Sequence, residues 1–154
     1  MSALDSFRLD GRVAVVTGST RGIGRAAALA LADAGADILV TGRDASAAAD
    51  VVAEIQQRGR RAHSVLIDLT DEGAPERIIA EAEQHLGAVD VLVNNAGICR
   101  WKPALDITAD ELHEVMNTNV GVTLLMCQAA ARRMRSQGSG VIVNVGSISG
   151  FIVN

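Results

Sequence analysis

The sequence predicts an α/β protein built on a doubly wound parallel sheet, in which helices cover both faces of the sheet. Short runs rich in Val, Ile and Leu recur along the chain, and each is followed by a segment with helical periodicity. Strands that alternate with helices are joined by right-handed crossovers, so neighbouring strands run parallel. The chain has 154 residues, of which 49% are apolar, and this is enough to form one hydrophobic core.

The five predicted strands are short and apolar, which is typical of strands that are buried on both faces of a sheet. The first ends at Thr17-Gly18, the second at Thr41-Gly42 and the third at Asp68. In chain order, the strands are predicted at 13–16, 38–40, 64–67, 89–93 and 141–145.

Four segments between these strands carry apolar residues at three- and four-residue spacing, which indicates amphipathic helices. Gly35, Gly59 and Gly87 are natural C-terminal stops for the first three of them. In the third helix, Thr70 is the predicted N-cap, and Pro75 is tolerated in the first turn. The helices are predicted at 23–34, 48–55, 71–86 and 110–135.

The loop between the first strand and the first helix is rich in glycine. Ligands of such sheets bind at the carboxyl ends of the strands, where a helix N-terminus offers free N–H groups and a positive dipole end. Gly18, Gly22 and Gly24 permit a tight turn and a close approach of the backbone to a pyrophosphate. On spacing alone, a turn in which glycine only relieves strain is the alternative. The predicted cofactor-binding residues of this loop are Gly18, Ser19, Thr20, Arg21, Gly22, Ile23 and Gly24.

The loop pattern TGxxxGxG is similar to the cofactor loop of the short-chain dehydrogenase/reductase family, and the resemblance runs through the whole chain. Further matches follow the third, fourth and fifth strands or lie in the long helix, and NNAG after the fourth strand is the most diagnostic. The matching residues are Asp68, Leu69, Asn94, Asn95, Ala96, Gly97, Asn119 and Ser147. The resemblance implies a Rossmann-type fold and an NAD(P)-dependent enzyme that transfers a hydride between the nicotinamide and a secondary alcohol or ketone.

The resemblance also implies which residues contact the adenosine. In the family, the residue at the Asp68 position contacts the adenine amino group, and the Leu69 backbone lies nearby. The backbone of residues 95–97 flanks the ribose, while Asn94 is expected to act as a structural clamp. Without the resemblance, a turn at the end of a strand explains Asp68 equally well.

The end of the second strand favours NADP over NAD. Sheets that bind NAD place an acid there for the ribose 2′-OH, but Gly42 occupies the position and Arg43 follows it. A guanidinium pairs with a 2′-phosphate in bidentate fashion, and Arg21 in the glycine-rich loop adds a second positive charge. The alternative is that both arginines are solvated surface residues. Asp44 leaves NAD possible, although we interpret it more readily as the N-cap of the second helix.

The resemblance implies two catalytic residues within this chain. Asn119 lies in the apolar stripe of the long helix, so we expect a buried amide with named hydrogen-bond partners. The family's Asn holds a water in the proton relay; a structural hydrogen bond to neighbouring backbone is the alternative, and Val122 departs from the family's usual glycine. Ser147 matches the serine that hydrogen-bonds the substrate oxygen, with Ser149 as the alternative hydroxyl.

The family's proton donor is a Tyr in a YxxxK motif, whereas this chain contains no Tyr and a single Lys, Lys102. We therefore expect 1–154 to be the NAD(P)-binding Rossmann domain of a longer protein. Its sheet would be incomplete at the C-terminal side, with strand 141–145 as an exposed apolar edge. Alone, the chain is expected to oxidise no alcohol. The competing hypotheses are a non-catalytic dinucleotide-binding module or partner subunit, and a different Rossmann-type enzyme such as a methyltransferase.

Composition narrows the expected partners and location. A net charge of −4 and only three aromatic residues are unlike a nucleic-acid-binding surface. No apolar run is long enough to span a membrane and no signal peptide is visible, so a cytoplasmic location is expected. Cys99 and Cys127 fit no disulfide or zinc pattern, no metal site is predicted, and the three histidines are expected to be isolated.

The resemblance extends to substrate and assembly. The stretch GSISGFIVN, which begins at Gly146, is similar to sugar-alcohol dehydrogenases within the family. The expected substrate is therefore a small-molecule alcohol or ketone, namely a polyol, a ketose or a sugar acid. The resemblance also implies a homo-oligomer, a dimer or tetramer that associates through the long helix.

Overall fold

The computed structural model describes residues 5–148, and five strands in this range form one sheet. They are β1 (Val13–Val16), β2 (Asp37–Gly42), β3 (Ala62–Leu66), β4 (Val91–Asn94) and β5 (Val141–Asn144). Their spatial order is β3-β2-β1-β4-β5, and every neighbouring pair is parallel. This confirms the predicted fold class. Ser149, the alternative catalytic hydroxyl, lies outside the described residues.

The helices agree with the predicted ones, except that the predicted long helix 110–135 is not continuous. The helices are α1 (Gly22–Asp33), α2 (Ala45–Gln57), α3 (Ala74–Leu86), α4 (Ala109–Met116) and α5 (Val122–Gln137). A π-helical segment (Asn117–Gly121) joins α4 to α5, and the residues on either side of it, Met116 and Val122, keep α-helical backbone angles. Single π-helical turns occur mostly within α-helices and frequently at functional sites, and this one contains Asn119.

The predicted N-caps give one confirmed case and one wrong case. Asp44 caps α2, because its carboxylate accepts hydrogen bonds from the backbone N–H groups of Ser46 and Ala47. Thr70 does not cap α3, which begins after Gly73 in a left-handed conformation, with φ at 73°. The Thr70 hydroxyl instead donates to the Asp68 carboxylate at 2.7 Å. The side chain therefore stabilises the turn after β3 and not the start of α3.

The hydrophobic core has two layers, one on each face of the sheet, because successive strand residues point to opposite faces. On β2, Ile38 and Val40 pack with α1 and α2, whereas Leu39 packs with α3 and α5. Helices on both faces make the sheet doubly wound. Its central strands are buried, as a parallel sheet requires.

β5 is the least covered strand of the sheet. It pairs with β4, and Val141 and Val143 are 57% and 46% exposed. The predicted apolar edge is therefore confirmed for the described residues. Among residues 5–148, no helix combines the length and the apolar character that crossing a membrane requires.

Candidate cofactor-binding site

Thr17, at the end of β1, joins the glycine-rich loop to the loop after β4. Its hydroxyl oxygen accepts hydrogen bonds from the backbone N–H groups of Asn95 and Ala96, both at 3.0 Å. The Asn95 side-chain amide donates in turn to the carbonyl oxygens of Thr17 and Gly18, at 3.0 and 3.2 Å. Thr17 is 2% exposed, so these bonds form in a region largely shielded from water. The two loops therefore form one bonded unit at the carboxyl edge of the sheet.

A second set of bonds joins the glycine-rich loop to the end of β2. The Gly18 N–H donates to the Thr41 hydroxyl at 3.1 Å, and the Ser19 hydroxyl accepts from the Thr41 N–H at 3.0 Å. Ser19 is fully buried, and its own N–H donates to the Thr41 carbonyl. The Ser19 side chain thus shapes the loop from inside. The sequence pattern includes Thr17 as the first residue of TGxxxGxG but assigns no role to it or to Thr41, although both are hydroxyl residues directly before a glycine at a strand end.

Two glycines of the loop are required by space or by backbone conformation. A Cβ at Gly24 would collide with the Asn95 amide and with the carbonyl oxygen of Gly18. Gly18 itself has φ at 63°, in the left-handed region that side chains disfavour, and its Cβ would lie 3.1 Å from the Ala96 backbone. Glycine at these two positions therefore lets the backbones of the loops after β1 and β4 lie close together.

The N-terminus of α1 faces outward from this loop. Arg21 is the N-cap residue and makes no side-chain capping bond, while Arg21, Gly22 and Ile23 are exposed. The first N–H groups of a helix have no partner within the helix, and together with the helix dipole they attract anions. Thr20 lies beside β2, where its methyl group fills the space that a Cβ at Gly42 would need.

Arg43 and Asp68 form an ion pair at the ends of β2 and β3, with 3.1 Å between Nη1 and Oδ2. The Arg43 side chain is 75% exposed and can turn toward a ligand without losing core contacts. The Thr70 backbone N–H, the Thr70 hydroxyl and Arg43 all stabilise the Asp68 carboxylate, which lowers its pKa from the ordinary value. The pair lines a shallow depression together with Leu66, Ile67, Asp71 and Arg77.

Asn94 holds the end of β4 to its neighbours, as expected of a structural clamp. Its side-chain NH₂ donates to the side-chain amide oxygen (Oδ1) of Asn144 at 2.8 Å and to the Cys127 sulfur at 3.2 Å. Asn94 and Asn144 are also register partners of β4 and β5. The side chain is buried, so this contact aligns the loop after β4 with the loop that leads to Ser147.

Asn119 contacts the loop after β4 in a symmetrical way. Its amide oxygen accepts from the Ile98 N–H and its amide nitrogen donates to the Ile98 carbonyl, both at 2.8 Å. The expectation of named partners is confirmed, but the expectation that Asn119 is buried is wrong, because it is exposed on the π-helical segment. A Cβ at Gly97 would lie 3.2 Å from the Asn119 oxygen, so Asn119 also borders the NNAG segment.

Ser147 is exposed in the loop after β5, on the same edge of the sheet as Asn95 and the glycine-rich loop. Leu69 and the backbone of residues 95–97 also follow strands at this edge. The structure therefore places the predicted site residues at the carboxyl ends of β1 to β5, in the loops, in the first turn of α1 or, for Asn119, on the segment that contacts the loop after β4. In open α/β sheets, ligands bind in the crevice outside these ends.

The expectation of isolated histidines is wrong for two of the three. The rings of His63 and His85 stack with their centroids 3.7 Å apart, and Glu81 lies beside both. The sequence did not show this, because β3 and α3 bring the residues together from distant positions. Cys99 and Cys127 are both free thiols.

Fold and site together define a Rossmann-like α/β protein with a glycine-rich loop at the end of the first strand. Residues 12–154 match the family model described as "short chain dehydrogenase". The chain belongs to the short-chain dehydrogenase/reductase family. It is 37% identical over 148 residues to gluconate 5-dehydrogenase from Gluconobacter oxydans, covering 96% of this chain and 58% of that enzyme.

Solved structures of relatives superpose closely on the described fold. A gluconate 5-dehydrogenase from Burkholderia cenocepacia, in complex with NADP and tartrate, is 38% identical with a TM-score of 0.91, covering 99% of this chain and 60% of its own. A 7α-hydroxysteroid dehydrogenase, complexed with NADH and 7-oxo glycochenodeoxycholic acid, is 37% identical with a TM-score of 0.94, covering 100% of this chain and 60% of its own. The chain thus spans less than two thirds of the length of these relatives.

Proposed function

We propose that residues 1–154 are the NAD(P)-binding Rossmann domain of an oxidoreductase that prefers NADP(H). The observation that carries the proposal is the joined loop unit after β1 and β4, where Gly24 leaves room only for the Asn95 amide and the Gly18 carbonyl, so that the two loops stay in contact. The bare N-terminus of α1 beside it suits a pyrophosphate. The bound cofactor would supply the hydride acceptor or donor. The residues that would hold it are Gly18, Thr20, Arg21, Gly22, Ile23, Gly24, Arg43, Asp68, Leu69, Asn95, Ala96 and Gly97. The expectation that Ser19 contacts the cofactor is wrong, because Ser19 is fully buried and both its hydroxyl and its N–H are bonded to Thr41.

The preference for NADP rests on charge at the end of β2. Asp44 is the nearest carboxylate in sequence, and its hydrogen bonds to the backbone of α2 occupy it as an N-cap. Gly42 offers no side chain for a ribose hydroxyl, whereas Arg43 presents an exposed guanidinium. A 2′-phosphate would compete with Asp68 for this guanidinium and gain charge-assisted hydrogen bonds from it.

For the reaction, we assign Ser147 to hydrogen-bond the substrate oxygen and Asn119 to hold a water in the proton relay. Both polar ends of the Asn119 side chain are already bonded to Ile98. The water is therefore assigned to the Asn119 main-chain carbonyl, which accepts from the Thr123 hydroxyl at 2.9 Å and lies in the irregular π-helical segment. The Asn119 side chain then positions this carbonyl beside the cofactor loop.

The proposed substrate is a polyol, a ketose or a sugar acid. Support comes from the two gluconate 5-dehydrogenases among the relatives, while the hydroxysteroid dehydrogenase shows that similar chains accept a different secondary alcohol. The relatives are named as dehydrogenases, reductases or oxidoreductases, which supports an enzyme over a non-catalytic module. The proposal includes a homo-oligomer and a cytoplasmic location. Support for association is the exposed apolar face formed by Leu112, Met116, Val120, Leu124 and Leu125.

Equilibrium binding of NADPH and NADH to the unmodified chain and to Arg43→Asp tests the cofactor assignment. We expect the substitution to weaken NADPH binding by about tenfold or more, the loss of one charge-assisted hydrogen bond, and to leave NADH binding nearly unchanged. Arg135→Asp makes the same charge change on the exposed surface of α5 and is the control. Equal NADPH affinity in the Arg43→Asp and unmodified chains would overturn the preference for NADP.

A further inference from the structure

We propose that His63, Glu81 and His85 form a binding site for a divalent transition-metal ion, separate from the cofactor site. His63 lies on β3, and Glu81 and His85 lie one helical turn apart on α3. The four-residue spacing places the last two side chains on one face of the helix. Within the described part of the chain, these three residues bring together two imidazoles and one carboxylate.

The packing of α3 on the sheet brings the three side chains together. Residues 63, 65 and 67 point to the same face of the sheet, and Val65 and Ile67 pack in the core with Ile78 and Ala82 of α3. His63 continues this row to the rim of the core, where its side chain is 33% exposed. The core contacts therefore fix the position of β3 relative to α3, and the site forms beside them.

The distances between the candidate ligand atoms suit a metal ion. Oε2 of Glu81 is 3.2 Å from Nε2 of His63 and 3.3 Å from Nε2 of His85, and all three atoms lie within 4.8 Å of one another. Around a tetrahedral ion with bonds of about 2.0–2.2 Å, neighbouring ligand atoms are about 3.3–3.5 Å apart. Two of the three ligand–ligand distances already have nearly this length.

Metal binding requires one rearrangement. The two imidazole rings stack at 3.7 Å with only 14° between their planes, and a metal ion lies in the plane of each ring that binds it. The rings must therefore rotate out of the stack until their Nε2 atoms converge. The His85 side chain is 38% exposed, and His63 is similarly exposed, so both rings have room to turn.

The donor set selects the class of ion. Two imidazole nitrogens and one carboxylate oxygen suit Zn²⁺, Ni²⁺, Co²⁺ or Cu²⁺, whereas Mg²⁺ and Ca²⁺ prefer oxygen ligands alone. Three protein ligands leave the remaining positions to water. His63 lies near the start of β3 and His85 near the end of α3, away from the carboxyl edge of the sheet. The ion would therefore link α3 to β3 through its ligands and take no part in hydride transfer.

A calorimetric titration of the full 154-residue chain with Zn²⁺ tests the site. Cys99→Ser serves as the background, because the exposed thiol would compete for zinc. We expect one saturable site, and about tenfold or greater loss of affinity in each of His63→Ala, Glu81→Gln and His85→Ala. His113→Ala, which removes an exposed histidine of α4, should bind as the background does. The absence of saturable binding, or equal affinity in all variants, would overturn the proposal.

A second measurement needs no substitution in the site. Zn²⁺ should shift the ring-nitrogen resonances of His63 and His85 together at one equivalent, while those of His113 stay in place, and Mg²⁺ should shift none of them. Shifts confined to His113, or shifts of all three in parallel, would contradict the site. NADPH binding measured with and without Zn²⁺ should be equal, because the two sites share no residue.

Discussion

The loop unit after β1 and β4 differs from the face formed by α4, the π-helical segment and α5. In the loop unit, the buried Thr17 hydroxyl accepts two backbone N–H groups and glycine keeps the loops in contact. On the helical face, Val120 and Leu124 are 53% and 57% exposed. The candidate cofactor site is thus shaped by contacts within this chain. Asn119, in contrast, lies on a surface whose apolar side chains are uncovered here.

The largest expected effect separates the core beneath the loops from the exposed helical face. Leu92 of β4 is fully buried, so Leu92→Ala should lower the free energy of unfolding by about 2–5 kcal/mol through lost burial and a cavity. Leu124→Ala removes the same atoms from an exposed position and should change it by less than about 0.5 kcal/mol. Urea denaturation measures both. A comparable loss in Leu124→Ala would show that another surface covers this face, and the comparison would fail.

A smaller effect is expected from filling space in the two loop regions. Gly24→Ala introduces a Cβ that collides with the Gly18 carbonyl and with Asn95. We expect the substitution to lower the free energy of unfolding by about 1–3 kcal/mol and to abolish NADPH binding. Gly146 lies in the loop before Ser147, where a Cβ would meet no atom of residues 5–148 within 4 Å. Gly146→Ala is therefore the matched control, with little change in either quantity. Intact NADPH binding in Gly24→Ala would contradict the close approach of the loops.

The smallest effect concerns the capping box that begins α4. The Thr108 N–H and the ammonium group of Lys102 bind the Glu111 carboxylate and lower its pKa from 4.5 to about 2. Because the pKa is lower in the folded state, the stabilisation is complete above pH 4.5 and is lost as the pH falls toward about 2. A titration of the Glu111 carboxyl resonance should show this midpoint, and Lys102→Met should raise it. A midpoint near 4.5 in the unmodified chain would show that the cap does not form.

Much of the fold could be predicted from the sequence because the strands are buried on both faces. An unbroken apolar run of four residues such as 13–16 is typical of a strand that is buried on both faces of a parallel sheet. Glycines after helices and the Asp44 cap act through neighbouring residues, so local sequence reveals them. The family resemblance added the order of the site residues along the chain.

Features that depend on distant residues could not be predicted. The π-helical segment places Asn119 against Ile98, which lies 21 residues earlier in the chain. The apolar spacing of the sequence is the same in a continuous helix. Thr70 is a residue type that commonly caps helices, but its hydroxyl is hydrogen-bonded to the Asp68 carboxylate in the preceding turn. His63 and His85 meet only after α3 packs on β3.

The candidate site followed the same division. The glycine-rich loop, which Thr17 begins, and NNAG were recognisable as motifs, while the hydrogen bonds by which Thr17 joins the two loops form only in the folded sheet. Arg43 was singled out by its charge and position. Its ion pair with Asp68 emerged from the parallel arrangement of β2 and β3. Residues that belong to a local sequence motif are therefore easier to predict than residues whose hydrogen bonds join loops from distant parts of the chain.

Mapping NADPH binding onto the backbone amide resonances tests the central claim most directly. The account predicts that the perturbed amides cluster at the carboxyl edge of the sheet, in residues 18–24, 43, 68–69 and 95–97. Amides around His63 and along the exposed face of α5 should stay in place at saturating NADPH. Saturable binding with the largest shifts outside the carboxyl edge, or no binding at all, would contradict it.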